Sequence, residues 1–96
     1  MGIKTGRLLE SDGITHRAWM VQCPACGSPH LFDKRWTFNG NHEAPTFRAS
    51  MLVGYKHGDP PVPYVCHSYL TDGVWEFLRD CTHAMRGTKV PAPDWT

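Results

Sequence analysis

Apolar and polar residues alternate from Ile14 to Gln22, with Trp19 and Val21 on one face and Met20 on the other, as a half-buried strand requires. Cys23-Pro24-Ala25-Cys26-Gly27 then reads as a tight turn, and His30 to Phe32 as the strand returning from it. Arg35 to Phe38 is a further strand or hairpin segment, closed by the Asn39-Gly40 turn signal. A loop over His42 to Pro45 leads to an apolar strand from Thr46 to Val53, and Gly54 to Pro63 reads as an exposed loop. Tyr64–Leu70 and Val74–Leu78 form the clearest hairpin, joined at Asp72-Gly73. Arg79 to Arg86 is predicted as one short helix, capped by Asp80 and ended by Gly87. Val90 to Trp95 is a proline-rich extended tail. The pattern predicts a mostly β, small α+β fold: antiparallel hairpins with one short C-terminal helix. Residues 1–96 form a single domain, with 1–13 and 88–96 as looser ends.

Composition sharpens this picture. Ninety-six residues with eight Pro, nine Gly and four Trp describe a thin core with many turns, which calls for a staple such as a metal or a disulfide. A net charge of +1, with Lys and Arg scattered, leaves no electrostatic footprint for nucleic acid or a membrane surface. No apolar run approaches the ~18 residues of a membrane span, and residues 1–7 lack the apolar stretch of a secretory signal. The expected location is the cytoplasm, where paired cysteines bind metal or do redox work.

Cys23 and Cys26 have the form of a zinc knuckle: two intervening residues let both sulfurs face one ion about 2.3 Å away. Pro24 and Gly27, followed by Ser28-Pro29, argue against a thioredoxin-like helix at this pair. The remaining soft donors are Cys66-His67 and Cys81-Thr82-His83. If Asp72-Gly73 is a two-residue turn, Leu70 faces Trp75 and Ser68 faces Phe77, which puts Cys66 on the core side and His67 on the opposite face. The expected Zn2+ ligands are therefore Cys23, Cys26 and Cys66, with either Cys81 or His83 completing the set. Unliganded buried thiols are the competing reading for Cys66 and Cys81.

Other residues carry alternative chemistry. His30, Glu43 and His67 are the candidates for a polar cleft doing acid–base work or metal-assisted hydrolysis, against the plain reading that they are ordinary hydrogen-bonding residues. Trp36, Phe38 and Phe47, with Lys34, Arg35 and Arg48 nearby, are the candidates for a base-stacking platform, although aromatics at strand spacing more often form core. Trp36, His67 and Tyr69 are the residues expected on a binding face. No nucleophile elbow, phosphate loop or His-Glu-x-x-His helix is present.

The series Cys23-Pro-x-Cys-Gly27, His30, Trp36-Thr-Phe-Asn-Gly40, Pro45-Thr-Phe47, Ser50, Cys66-His-Ser-Tyr69, Asp72-Gly73 and Phe77-Leu-x-Asp-Cys-Thr-His83 resembles a group of small phage and prophage proteins often labelled ammonia monooxygenase. The resemblance spans roughly residues 20 to 95, with departures at Asn41-His42 and Arg48-Ala49. It implies a phage-encoded accessory protein with a zinc site and supplies no catalytic assignment. A looser similarity links the Cys-x-x-Cys, Trp and Cys-His-Ser segments to small zinc proteins found near bacterial ubiquitin-like systems. The expected function is a zinc-stapled module that binds a host or phage protein, such as an inhibitor of a defence enzyme. A small metal-dependent enzyme is the first alternative and a zinc-ribbon-like nucleic-acid-binding module the second; the balance leans away from an enzyme.

Overall fold

The structure, a computed structural model, describes residues 2–95. Eight strands form two antiparallel sheets. The first has the order β1 (Thr5–Leu9), β2 (His16–Cys23), β3 (Ser28–Phe32). The second has the order β4 (Thr37–Phe38), β5 (Phe47–His57), β6 (Val62–Thr71), β7 (Val74–Phe77), β8 (Lys89–Pro91).

The two sheets meet through their apolar faces. Val21, Cys23 and Phe32 from the first pack against Phe47, Met51, Cys66, Leu70, Trp75 and Phe77 from the second, all buried. Phe32 stacks on Phe47 with centroids 4.1 Å apart. The largest buried side chain, Trp75, satisfies its one polar atom by donating from Nε1 to the Gln22 carbonyl at 2.8 Å. That bond ties the second sheet to the strand leading into the cysteine turn.

The β6–β7 hairpin has the register expected from its turn: Leu70 faces Trp75 and Ser68 faces Phe77. Asp72 (φ 50°) and Gly73 (φ 77°) both occupy the left-handed region, as a two-residue primed turn demands. The alternation therefore sends Cys66 and Ser68 into the core and leaves His67 and Tyr69 on the outer face.

Two expectations are corrected. The segment after β7 is not a helix, and no helix occurs among the described residues. Its backbone is drawn along β6 instead: Leu78 N–H donates to the His67 carbonyl (2.9 Å) and Thr82 N–H to the Val65 carbonyl (3.0 Å). With these groups serving a neighbouring strand, Asp80 does not cap a helix. The stretch from Gly54 to Pro63 is likewise mostly strand. β5 runs on to His57 and β6 starts at Val62, and only the residues between them turn. Tyr55 stacking on Tyr64 (4.9 Å) across the ladder shows what holds the extension together.

Candidate active site and metal centre

β5 and β6 fall out of step at one place. Phe47 pairs with Leu70 and Met51 with Ser68, so Arg48, Ala49 and Ser50 together oppose the single residue Tyr69. Such a bulge re-aims side chains. This one is fastened on both sides. The Arg48 guanidinium lies 5.4 Å from the Tyr69 ring centroid and donates to the carbonyls of Phe47 and Leu70 (3.0 and 3.2 Å) and to Thr71 Oγ1 (2.8 Å). Trp36 Nε1 donates to the Ser50 carbonyl at 3.3 Å.

The bulge delivers Ser50 to His67. Ser50 Oγ lies 3.1 Å from His67 Nε2, and Asp80 Oδ2 lies 2.8 Å from His67 Nδ1. Asp80 accepts from Nδ1–H, which leaves Nε2 as the acceptor for the Ser50 hydroxyl. This is the connectivity of a serine nucleophile, a histidine base and an orienting carboxylate. His67 is three-quarters buried, whereas the Asp80 side chain is 58% exposed, so solvent screens the carboxylate's pull on the ring. The His67 backbone is clamped separately: its N–H donates to Cys81 Sγ and the Cys81 thiol donates to its carbonyl, both at 3.2 Å.

One residue before His67, on the inner face, Cys66 joins a second cluster. Its Sγ, those of Cys23 and Cys26, and His30 lie mutually within 4.8 Å. His30 Nε2 is 3.6 Å from Cys26 Sγ and 3.7 Å from Cys66 Sγ. Zinc held tetrahedrally at about 2.3 Å from sulfur and about 2.0 Å from nitrogen sets sulfur–nitrogen edges near roughly 3.5 Å, so these two spacings are compatible with the ion.

The electrostatics of the cluster are compatible with a cation. The hydrogen bond from Cys66 holds the Cys23 thiol down to about 4, against the burial that opposes it. The same bond, reinforced by burial, pushes Cys66 far up. Burial pushes Cys26 up although the Tyr64 hydroxyl donates to it at 2.9 Å, and burial followed by the bond to Cys26 pushes Tyr64 up in turn. One thiolate inhibits its neighbours from ionising; a divalent ion would accommodate all three.

Several expected site residues are placed differently. His30 lies at the metal cluster rather than in a polar cleft, and Glu43 is an exposed loop residue whose N–H donates to Asn41 Oδ1 at 3.0 Å. His30, Glu43 and His67 therefore do not converge. Cys81 and His83 group with Cys66 in a three-donor set, but the Cys81 sulfur is engaged with the His67 backbone. Burial pushes His83 below its ordinary value, and its buried Nε2 has no partner. Phe38 and Phe47 stack on each other at 4.5 Å, and Trp36 packs on Phe32, so these aromatics are core and support rather than a base platform. Ser50 and Asp80 carry no local motif in the sequence, because Ser50, His67 and Asp80 come from three separate segments; His67 on the outer face is the one sequence signal of this grouping.

The described residues include no helix long and apolar enough to cross a membrane. Compared with known families, residues 3–78 match the family model described as bacterial ubiquitination-like system serine protease (BubE). No curated protein and no solved structure matches the chain.

Proposed function

Because the chain belongs to the BubE family, we propose that it is a serine protease in which Ser50 is the nucleophile, His67 the general base and acid, and Asp80 the orienting carboxylate. The observation that carries this reading is the pair of contacts on one imidazole, 3.1 Å to Ser50 Oγ and 2.8 Å to Asp80 Oδ2. The family's description names a bacterial ubiquitination-like system, and the reading takes a polypeptide of such a system as the substrate.

The family match overturns the expectation of an accessory module that acts by binding a host or phage protein, since it points to an enzyme. It names a bacterial system rather than a phage one, and nothing in the comparisons supports the ammonia monooxygenase label. Of the earlier alternatives the enzymatic one fares better, with its chemistry moved from a His/Glu cleft to a serine.

The reaction follows from the geometry. As Ser50 Oγ attacks the scissile carbonyl carbon, its proton passes to His67 Nε2, and Asp80 stabilises the imidazolium through Nδ1–H. The carbon–nitrogen bond breaks, the leaving amine takes the proton from Nε2, and an ester to Ser50 remains. Water, deprotonated by the same nitrogen, attacks the ester carbon; the bond from that carbon to Ser50 Oγ breaks, the carboxylic acid product leaves, and the proton returning from Nε2 restores the Ser50 hydroxyl. Zinc, held by Cys23, Cys26, Cys66 and His30, would have four protein ligands and would crosslink the β2–β3 turn to β6; closed four-ligand sites are structural. The test is proteolysis of a ubiquitin-like substrate from such a system: S50A and H67A abolish it while retaining zinc. Cleavage by S50A at the wild-type rate would overturn the assignment.

A further inference from the structure

β5 is covered on its outer edge only at its start. β4 pairs with Phe47 and Arg48, and from Leu52 onward β5 has a neighbour on one side only among the described residues. The hydrogen-bonding phase of that free edge can be derived. Val65 N–H donates to Thr82 Oγ1 and its carbonyl accepts from Thr82 N–H; His67 N–H and carbonyl are likewise used by Cys81 and Leu78. The main-chain groups of Val65 and His67 therefore point away from β5. Their partners across the ladder, Gly54 and Leu52, are in non-hydrogen-bonded pairs and aim their own N–H and C=O groups outward. The Ser50 carbonyl points to the same edge, where Trp36 Nε1 reaches it. An unpaired row of backbone donors and acceptors thus starts within two residues of the nucleophile.

A groove of about 360 Å³ runs beside this row, walled by Leu31, Trp36, Leu52, Val53 and Tyr55. Leu52 is 63% and Tyr55 54% exposed, an unusual display of apolar surface beside a polar site. A larger cavity of about 740 Å³ also touches Trp36, but its walls include none of Met51, Leu52 and Val53, the residues directly after Ser50 that line the groove. Free strand edges are a hazard that folds blunt with proline, charge or a covering loop, and Leu52, Val53, Gly54 and Tyr55 supply none of the side-chain devices.

The geometry points to strand addition as the mode of substrate binding: an extended polypeptide segment pairs with the outward groups of Leu52 and Gly54, places alternate apolar side chains in the groove, and so presents its scissile carbonyl to Ser50. This rests on the serine protease reading and adds the substrate class, an unfolded tail or linker rather than a folded surface. It makes main-chain recognition dominant, with apolar side chains at every second position.

The test uses phosphonates that modify the nucleophile: Ser50 Oγ bonds to phosphorus, phenoxide leaves, and the serine proton passes to His67. Acetyl-Ala-Leu-Ala-Leu and acetyl-Leu-Ala-Leu-Ala diphenyl phosphonates are compared with their truncated acetyl-amino-acid counterparts. One of the two tetrapeptides is expected to modify Ser50 at least about tenfold faster than its truncated form, on the scale of a few backbone hydrogen bonds. Methylating peptide nitrogens at every second residue removes that gain, and methylating the intervening ones leaves it. G54P deletes an outward N–H without touching the bonds to β6, so it lowers the ratio of tetrapeptide to truncated rate about tenfold. The wild-type methylation series stands independently of how that variant folds. No gain in either register, or a gain indifferent to methylation position, overturns strand addition. Failure of every phosphonate, truncated ones included, to modify Ser50 removes the protease reading itself and strand addition with it.

Discussion

Cys66 and His67 are consecutive residues of β6 that serve two different centres. The Cys66 sulfur lies 3.7 Å from His30 Nε2 on the buried face, and His67 Nε2 lies 3.1 Å from Ser50 Oγ on the other. The pleat of one strand therefore couples the four-donor Cys/His cluster to the proposed catalytic base. Removing zinc with a strong chelator is expected to unfold the chain and abolish activity together, and zinc alone should restore both. Zinc binding worth about 10–16 kcal/mol exceeds the stability of a thin core, so C66S should lower Tm by more than about 15 °C. Circular dichroism melts with metal analysis check this. Full activity in metal-free protein would contradict it.

Cys81 separates clamping from ligation. Its thiol holds both backbone groups of His67 and lies outside the four-donor cluster. C81A should therefore keep one zinc per chain, lower kcat by about tenfold through loss of these bonds, and leave KM near its wild-type value. Zinc loss in C81A would show that this thiol is a ligand.

The exposed Asp80 should matter less than a buried triad carboxylate. D80N offers an amide that can no longer accept with full charge, so the ring loses its fixed tautomer. Where a buried aspartate costs about 10⁴ in kcat, a carboxylate already screened by water should cost roughly 10². Steady-state kinetics at constant fold, checked by thermal melts, decide this; a loss under twofold would remove Asp80 from the mechanism.

Trp36 holds the bulge through Nε1. W36F keeps the apolar contact with Phe32 and deletes only the bond to the Ser50 carbonyl. A single lost hydrogen bond of about 0.5–1.5 kcal/mol predicts a fall in kcat of about 2- to 13-fold, with a fall in Tm of no more than about 12 °C. An unchanged kcat would mean that Arg48 fixes the bulge alone.

What the sequence made legible follows the range over which each signal acts. The Cys23/Cys26 pair and the Asp72-Gly73 turn are local signals: the two sulfurs lie in one cluster with Cys66 and His30, and the turn's register places Cys66 inward and His67 outward. His30 joins the Cys23, Cys26 and Cys66 cluster only because the β2–β3 hairpin packs on the second sheet, a long-range approach that no chain spacing records. The helix over 79–86 failed because the free edge of β6 beyond β7 claims that segment's backbone, a demand no propensity records. Ser50 was hidden for a related reason: a bulge is a mismatch between two strands, invisible in either strand alone.

Reaction with diisopropyl fluorophosphate followed by peptide mapping tests the central claim most directly. The account predicts one adduct per chain, on the peptide containing Ser50, absent in S50A, strongly reduced in H67A, and accompanied by loss of proteolysis in proportion to labelling. Proteolysis that persists in fully labelled protein, or an adduct confined to another residue, would contradict it.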